Sequence, residues 1–374
     1  MKHGKIALVV LTVLMSFSCR GMNQKYTKGN LVELPAEQTD SFSFIAFGDT
    51  RQNAWGESLT GRVNSDKARR EMAREIRQRH LDGDSLFAVL IGDAVLSGSW
   101  RDEWKGFYKR FFGKPGAGGA FRMYAVAGGH EYKQGGKGMD NFRAFFNFPG
   151  SECPNPDSRQ RWYSFRYGNS AFIMLDSQGT YLDRGCRDNQ YAFIDTCVSL
   201  YSSDPAIRHL FVFTHVPPIT NASVHGNSTF SQRLYRLVRT ADINRKLRIF
   251  FTSHNHFAEV YRMPGGELEV VTGGGGAPLD YLDMNRIKPG DIPLEPEFEA
   301  LLNRYDADRN RVVTSKELKF FHYCMVRVEG DQVEFQLRAW PEFSDTFYRL
   351  PVYPVEEAAA LAGLPVPEWY TTGS

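Results

Sequence analysis

Net charge of either sign is nearly missing from this sequence: 45 Lys and Arg stand against 43 Asp and Glu, a formal +2. Without a broad electrostatic field, a nucleic-acid polymer is not an expected partner, and substrate choice has to be local. A membrane-spanning run is missing from the N-terminus, where Ile6 to Phe17 falls short of the roughly 20 apolar residues that spanning needs. Cysteine is scarce, at five in 374 residues. What is abundant is core-forming material, 42% hydrophobic and 14% aromatic, which excludes disorder and suffices for one large domain or two ordinary ones.

The first residues read as an export signal, with Lys2 and Lys5 before the apolar run and Ser18-Cys19-Arg20 after it. The ending resembles the cleavage box of bacterial lipoproteins, with Ser16 where leucine is usual. Residues 1–19 are expected to be a signal peptide, with Cys19 either lipidated or merely at the cleavage point, and residues 20–40 a polar tether. The expected location is a bacterial periplasm, outer membrane or cell surface, with the membrane contacted through the N-terminal lipid if one is attached. Export places Cys153, Cys186, Cys197 and Cys324 in an oxidising space, where four thiols allow three pairings. If Asp188 to Ser202 is one helix, Cys186 and Cys197 lie roughly 16 Å apart at about 1.5 Å per residue, too far for a disulfide. Cys153 and Cys186, both in polar, loop-like surroundings, are the favoured pair, against free buried cysteines.

From Ser41 the pattern alternates. Phe42 to Phe47, Leu86 to Ile91 and Met123 to Ala127 read as strands, separated by helices over Asp66 to His80 and Trp100 to Phe112. That alternation implies parallel strands with right-handed crossovers. Trp162 to Tyr167 and Ala171 to Leu175 form a hairpin about Gly168-Asn169, followed by the Asp188 helix. Strands over His209 to Phe213 and Arg248 to Thr252 flank a helix from Ser231, its expected cap, to Thr240. Ala258 to Arg262 with Leu268 to Thr272, and Cys324 to Val328 with Val333 to Ala339, close the pattern as two hairpins. Gly273 to Gly276 either brings backbone close to a site or turns a corner. Residues 341–374 read as a tail packed on the domain surface.

Five of these runs end in Asp or His: Asp49-Thr-Arg51, Gly92-Asp93, Gly128-Gly-His130-Glu131, Thr214-His215 and His254-Asn-His256. One such residue alone is usually a cap or a surface group. Five at strand ends are what an α/β sheet shows when it gathers ligands there. Carboxylate plus imidazole suits zinc, iron or manganese far better than calcium.

The ordered set resembles the calcineurin-like metallophosphoesterases, within them the purple acid phosphatase-like branch, over roughly residues 41–340. The resemblance implies an α/β (α+β) fold, a four-layer αββα sandwich of two mixed sheets flanked by helices. It also implies two divalent or transition metal ions, iron, zinc or manganese, that activate a hydroxide to hydrolyse a small phosphorylated substrate. Carried over by position, Asp49, Asp93 and His256 hold one metal, and Asp93, His215 and His254 the other. His130 then lies beside the substrate as general acid or phosphate ligand.

Two positions depart from the family pattern. Arg51 stands where many members have a ligating histidine; arginine binds phosphate instead, or pairs with a neighbouring carboxylate. Gly129 stands where an asparagine usually supplies an oxygen to the second metal, and this is the graver change. Within residues 295–321, Asp306, Asp308, Asn310, the carbonyl of Val312, Thr314 and Glu317 fall at EF-hand ligand spacing, with Arg311 where glycine is usual. This segment reads as a weak calcium loop, or as a solvated acidic turn. The expected whole is an exported phosphoesterase; the competing reading is a catalytically impaired lipoprotein of the same fold, serving as a calcium-dependent binding or adhesion module.

Overall fold

The computed structural model describes residues 34–36, 38–54, 65–113, 121–146, 153, 161–220, 228–263, 265–279, 320–340 and 347–355. The export signal with Cys19, most of the tether, the EF-hand-like ligands Asp306, Asp308, Asn310, Val312, Thr314 and Glu317, and the last residues of the tail lie outside the described residues. Among the described residues no helix is long and apolar enough to cross a membrane.

The first sheet contains β1 (Ser41–Phe47), β2 (Phe87–Ile91), β3 (Met123–Val126), β10 (Phe321–Glu329), β11 (Gln332–Trp340) and β12 (Tyr348–Pro354) in the order β12-β11-β10-β1-β2-β3. β1, β2 and β3 are parallel, and β10 joins β1 antiparallel. The second sheet runs β4 (Tyr163–Tyr167), β5 (Ser170–Met174), β6 (His209–Phe213), β7 (Leu247–Thr252), β9 (Leu268–Thr272) and β8 (Ala258–Arg262). Its four central strands are parallel and its two edges antiparallel.

The sheets face each other across a phenylalanine layer. Phe44 of β1 meets Phe172 of β5 and Phe211 of β6 with ring centroids 5.3 and 5.1 Å apart, and Phe87 of β2 meets Phe172 at 5.1 Å. Successive strand residues point to opposite faces, so Phe172 and Phe211 enter this layer while Ile173, Leu210 and Val212 point outward. The outward set packs on Ile194 and Val198 of α5 (Arg184–Ser203) and on Leu234 and Val238 of α6 (Thr229–Ala241). On the other side α1 (Ser65–Leu81) packs on β10 and on α2 (Arg101–Phe111), whose buried face is Trp104, Phe107, Tyr108 and Phe111. Two mixed sheets between helices are the expected architecture. Strands buried on both faces explain the continuous apolar runs of the sequence.

The structure corrects several expectations. The disulfide joins Cys153 to Cys197, with Cα atoms 5.5 Å apart, and not to Cys186. Cys197 lies on the inward face of α5 among Ile194 and Val198, where Cys153 is also buried. Because α5 begins at Arg184, Cys186 sits in its first turn and not in a loop, and its sulfur accepts a hydrogen bond from Arg161 Nη2 at 3.0 Å. The cap of α6 is Ser228, which accepts from Ser231 N, so Ser231 belongs to the first turn. The tail supplies edge strand β12. Two helices, α3 (Gly129–Tyr132) and α4 (Gly136–Phe146), fill the connection after β3.

Candidate metal centre

Asp49, Asp93, His130, His215, His254 and His256 follow the C-terminal ends of parallel strands from both sheets, where chain direction leaves side chains converging. Backbone hydrogen bonds link these ends: Asp49 N to Gly92 O at 3.1 Å, Thr50 N to Asp93 O at 3.0 Å, Ser253 N to His215 O at 2.9 Å and Gly48 N to Thr272 O at 3.0 Å. The glycine run after β9 belongs to the same edge. Gly275 N donates to Gly48 O at 2.9 Å, and a Cβ on Gly273 would stand 2.9 Å from Asp49 Oδ2, so the run is a close approach of backbone to the site.

Asp49, Asp93 and His254 have φ of +57°, +52° and +69°. Left-handed backbone costs a non-glycine residue of the order of 1–2 kcal/mol, and its clustering on three of the candidate ligands marks a place where geometry overrides local comfort. These residues have left the strand before they turn, so their side chains are aimed by the turn and not by strand alternation.

Backbone carbonyls set the imidazole tautomers. His215 Nδ1 lies 2.8 Å from Ile91 O and His256 Nδ1 lies 2.5 Å from Pro278 O. A carbonyl only accepts, so each Nδ1 is the donor and each Nε2 is directed at the site. His215 Nε2 lies 3.5 Å from Asp93 Oδ2 and 3.2 Å from His254 Nδ1. Donor atoms of Asp93, His215 and His254 all fall within 4.8 Å of one another. His256 Nε2 stands 3.4 Å from Asp49 Oδ1, a fully buried oxygen that accepts no hydrogen bond, while Oδ2 accepts from His254 N at 2.7 Å and from Ser253 Oγ. The structure thus assembles one expected ligand set as a group and brings Asp49 and His256 of the other together.

Burial opposes ionisation of Asp93, yet His215 and His130 hold its carboxyl well below the usual range; Asp49 is lowered in the same way by His256 and His215. Burial also disfavours the His215 imidazolium, and Asp93 and Asp49 overcome it, raising the group to about 10. Buried anions, imidazoles facing one another and an orphaned carboxylate oxygen fit a borderline divalent cation in place of those protons.

His130 stands at the edge of this group. Its N donates to Asp93 Oδ1 at 2.9 Å, its Nδ1 to Leu96 O at 2.5 Å, and its Nε2 lies 3.7 Å from Asp93 Oδ2. Burial lowers its pKa, and the cations Arg51 and Lys133 lower it further against the pull of Asp93. Lys133 Nζ lies 2.9 Å from His130 Nε2. Sequence reasoning missed Lys133; its signal is the i, i+3 spacing from His130. Arg51 is buried and donates from Nη1 to Gln52 O at 3.1 Å. Glu131 points inward and accepts from Asp93 N, Ala94 N and Gly128 N at 2.9, 2.9 and 2.8 Å, clamping two of the strand ends together. Gln178, after β5, is a second residue that the sequence did not single out.

No protein-family model matches the sequence, and no curated protein does. Solved structures do. A purple acid phosphatase, PPD1, from yellow lupin aligns over 85% of this chain at 16% identity and a TM-score of 0.55, and this chain covers 54% of that one, about half its length. GAP50, the anchor in the inner membrane complex of Plasmodium, aligns over 88% at 14% identity and a TM-score of 0.52, with 98% of that chain covered. A dimetal phosphatase from Danio rerio aligns over 83% at 12% identity and a TM-score of 0.50, with 98% covered. With its two mixed sheets, flanking helices and these structural neighbours, the chain has the calcineurin-like metallophosphoesterase fold.

Proposed function

We propose that this protein is an exported, metal-dependent hydrolase of phosphate esters. The observation that carries the reading is the convergence of Asp93, His215 and His254 donors within 4.8 Å at the strand ends of this fold. Asp93, His215 and His254 would hold one ion, and Asp49 and His256, together with Asp93, the other. When bound, such ions supply Lewis acidity to a phosphoryl oxygen and acidify water. Arg51 binds and orients the phosphate, for which its planar fork is suited. Lys133 adds a second cation on the same side. Burial, Arg51 and Lys133 favour the neutral imidazole of His130 in the free site; a phosphate anion beside it would favour the imidazolium, whose Nε2 proton would pass to the departing ester oxygen as the P–O bond breaks. Glu131 keeps Asp93 and His130 in register through its three backbone hydrogen bonds.

Export, lipid attachment at Cys19 and calcium uptake at Asp306 to Glu317 complete the proposal and rest on the sequence motifs. A second reading, an impaired enzyme retained as a binding module, is favoured by Gly129, which offers no side chain, and by the likeness to GAP50, described as an anchor. Hydrolysis of generic aryl phosphate mono- and diesters separates the two. The enzyme reading expects turnover that falls about 10²–10⁴-fold in His130→Ala; inert wild-type protein favours the module.

A further inference from the structure

Gly129 leaves space beside the centre, and one side chain faces it. A Cβ built on Gly129 meets nothing within 4 Å except the amide of Gln178, Oε1 at 3.4 Å and Cδ at 4.0 Å. Gly129 is the residue before His130, whose N donates to Asp93 Oδ1 at 2.9 Å, so the Gln178 amide lies over the backbone that holds the proposed bridging carboxylate. Gln178 is only 7% exposed, and its Nε2 is buried without a hydrogen-bond partner. A buried amide nitrogen without a partner costs about 1–3 kcal/mol and calls for an acceptor.

The loop that presents it is built for position. Gln178 N donates to Asp176 Oδ1 at 2.8 Å, and the Asp176 carboxylate also accepts from Tyr132 Oη beyond His130. Ser177 Oγ accepts from Val216 N at 2.7 Å, which ties the residue before Gln178 to the residue after His215. Asp176 N in turn donates to Gln190 Oε1 of α5 at 2.7 Å. Gln178 is therefore registered against both His130 and His215 by hydrogen bonds that do not use its own side chain.

We infer that Gln178 supplies, from the end of β5, the neutral amide oxygen that position 129 lacks, joining Asp93, His215 and His254 as a ligand of the same ion. Oε1 is the donor to the cation, and Nε2 is left to donate to an oxygen of a bound phosphate. The assignment rests on the metal reading proposed above. It also accounts for how a glycine at 129 is compatible with a working site: the oxygen comes from a different strand, and a side chain at 129 would compete with it for the same space.

Cobalt(II) titration of the full chain, read by visible absorption and by metal content, tests this. The variants are Gln178→Ala, Gln178→Glu and the double variant Gln178→Ala with Gly129→Asn. Gln178→Ala is expected to weaken the ion at Asp93, His215 and His254 about 10–100-fold and to change its absorption bands. Gln178→Glu and the double variant are expected to restore tight uptake, the latter because the space over Gly129 is then vacant. Circular dichroism and the thermal midpoint show whether each variant is folded; if Gln178→Ala is not, the Gln178→Glu bands and the double variant decide. Gln178→Ala that titrates and absorbs as wild type or, where it does not fold, Gln178→Glu with unshifted bands overturns the assignment and leaves the metal reading standing. Wild-type protein that takes up no cobalt overturns both.

Discussion

His256 Nε2 faces Asp49 Oδ1 across 3.4 Å, and that oxygen is buried with no hydrogen bond while its twin has two. The asymmetry assigns the two oxygens different tasks. Oδ2 fixes the His254 turn, and in the proposed site Oδ1 is the oxygen that would ligate a cation. Asp49→Asn keeps the shape but replaces one oxygen by an amide, so it is expected to lower metal content and turnover together while leaving secondary structure unchanged. Full metal content in Asp49→Asn would argue that Oδ1 ligates nothing.

Adjacent glycines should respond differently to the same substitution. A Cβ on Gly128 overlaps Asp93 Oδ1 and stands 2.6 Å from Asp93 N and 2.9 Å from His215 Cε1, whereas one on Gly129 meets only Gln178 at 3.4 Å. Gly128→Ala is expected to cost about 1–3 kcal/mol, in the range of other overpacked sites, and to abolish metal uptake. Gly129→Ala is expected to fold with wild-type stability. Denaturant midpoints of the two, measured side by side, check the contrast; equal losses would mean that the strand ends are less closely set than described.

The disulfide gives a stability prediction. Cys153 and Cys197 are separated by 44 residues, and closing a loop of that size stabilises by about 4 kcal/mol in the chain-entropy model. Cys197→Ser, with its partner changed to Ser as well, should lose stability of that order, while Cys186→Ser should keep the crosslink and most of the stability. A non-reducing peptide map linking Cys153 to Cys186 would refute the pairing.

Glu269 offers a pH test away from the candidate ligands. Burial, then the facing Glu259, pushes its carboxyl well above the usual range. The folded chain therefore keeps this proton after the unfolded chain has lost it, near the ordinary value of 4.5. Protons bound are then fewer in the unfolded state, so stability falls as pH rises above about 4.5. Glu269→Gln removes that dependence. Its midpoint relative to wild type should rise between pH 5 and pH 8, and a difference that stays constant or shrinks would contradict the direction.

Most of the fold and the clustering of the candidate site at the strand ends were legible because both rest on period and position. Runs such as Phe42 to Phe47 and His209 to Phe213 are apolar throughout, as strands covered on both faces must be, and Asp49, Asp93, His215 and His254 follow their ends. The rest depends on contacts between distant segments. Pairing of Cys153 follows from which face of α5 is buried, and the separation of Cys186 from Cys197 alone left that open. β12 was hidden by Pro351 and Pro354, which suit only an edge strand. Lys133 and Gln178 carry no motif, and their meaning appears only when α3 and the loop after β5 are set beside β6.

The most direct test of the account is metal analysis of purified wild-type protein and Asp93→Asn, paired with aryl phosphate hydrolysis before and after chelation. The account predicts two transition-metal ions per wild-type chain, activity removed by chelator and returned by zinc, iron or manganese, and loss of both metal and turnover in Asp93→Asn. Hydrolysis that survives complete metal removal, or wild-type protein that binds no transition metal, would contradict it.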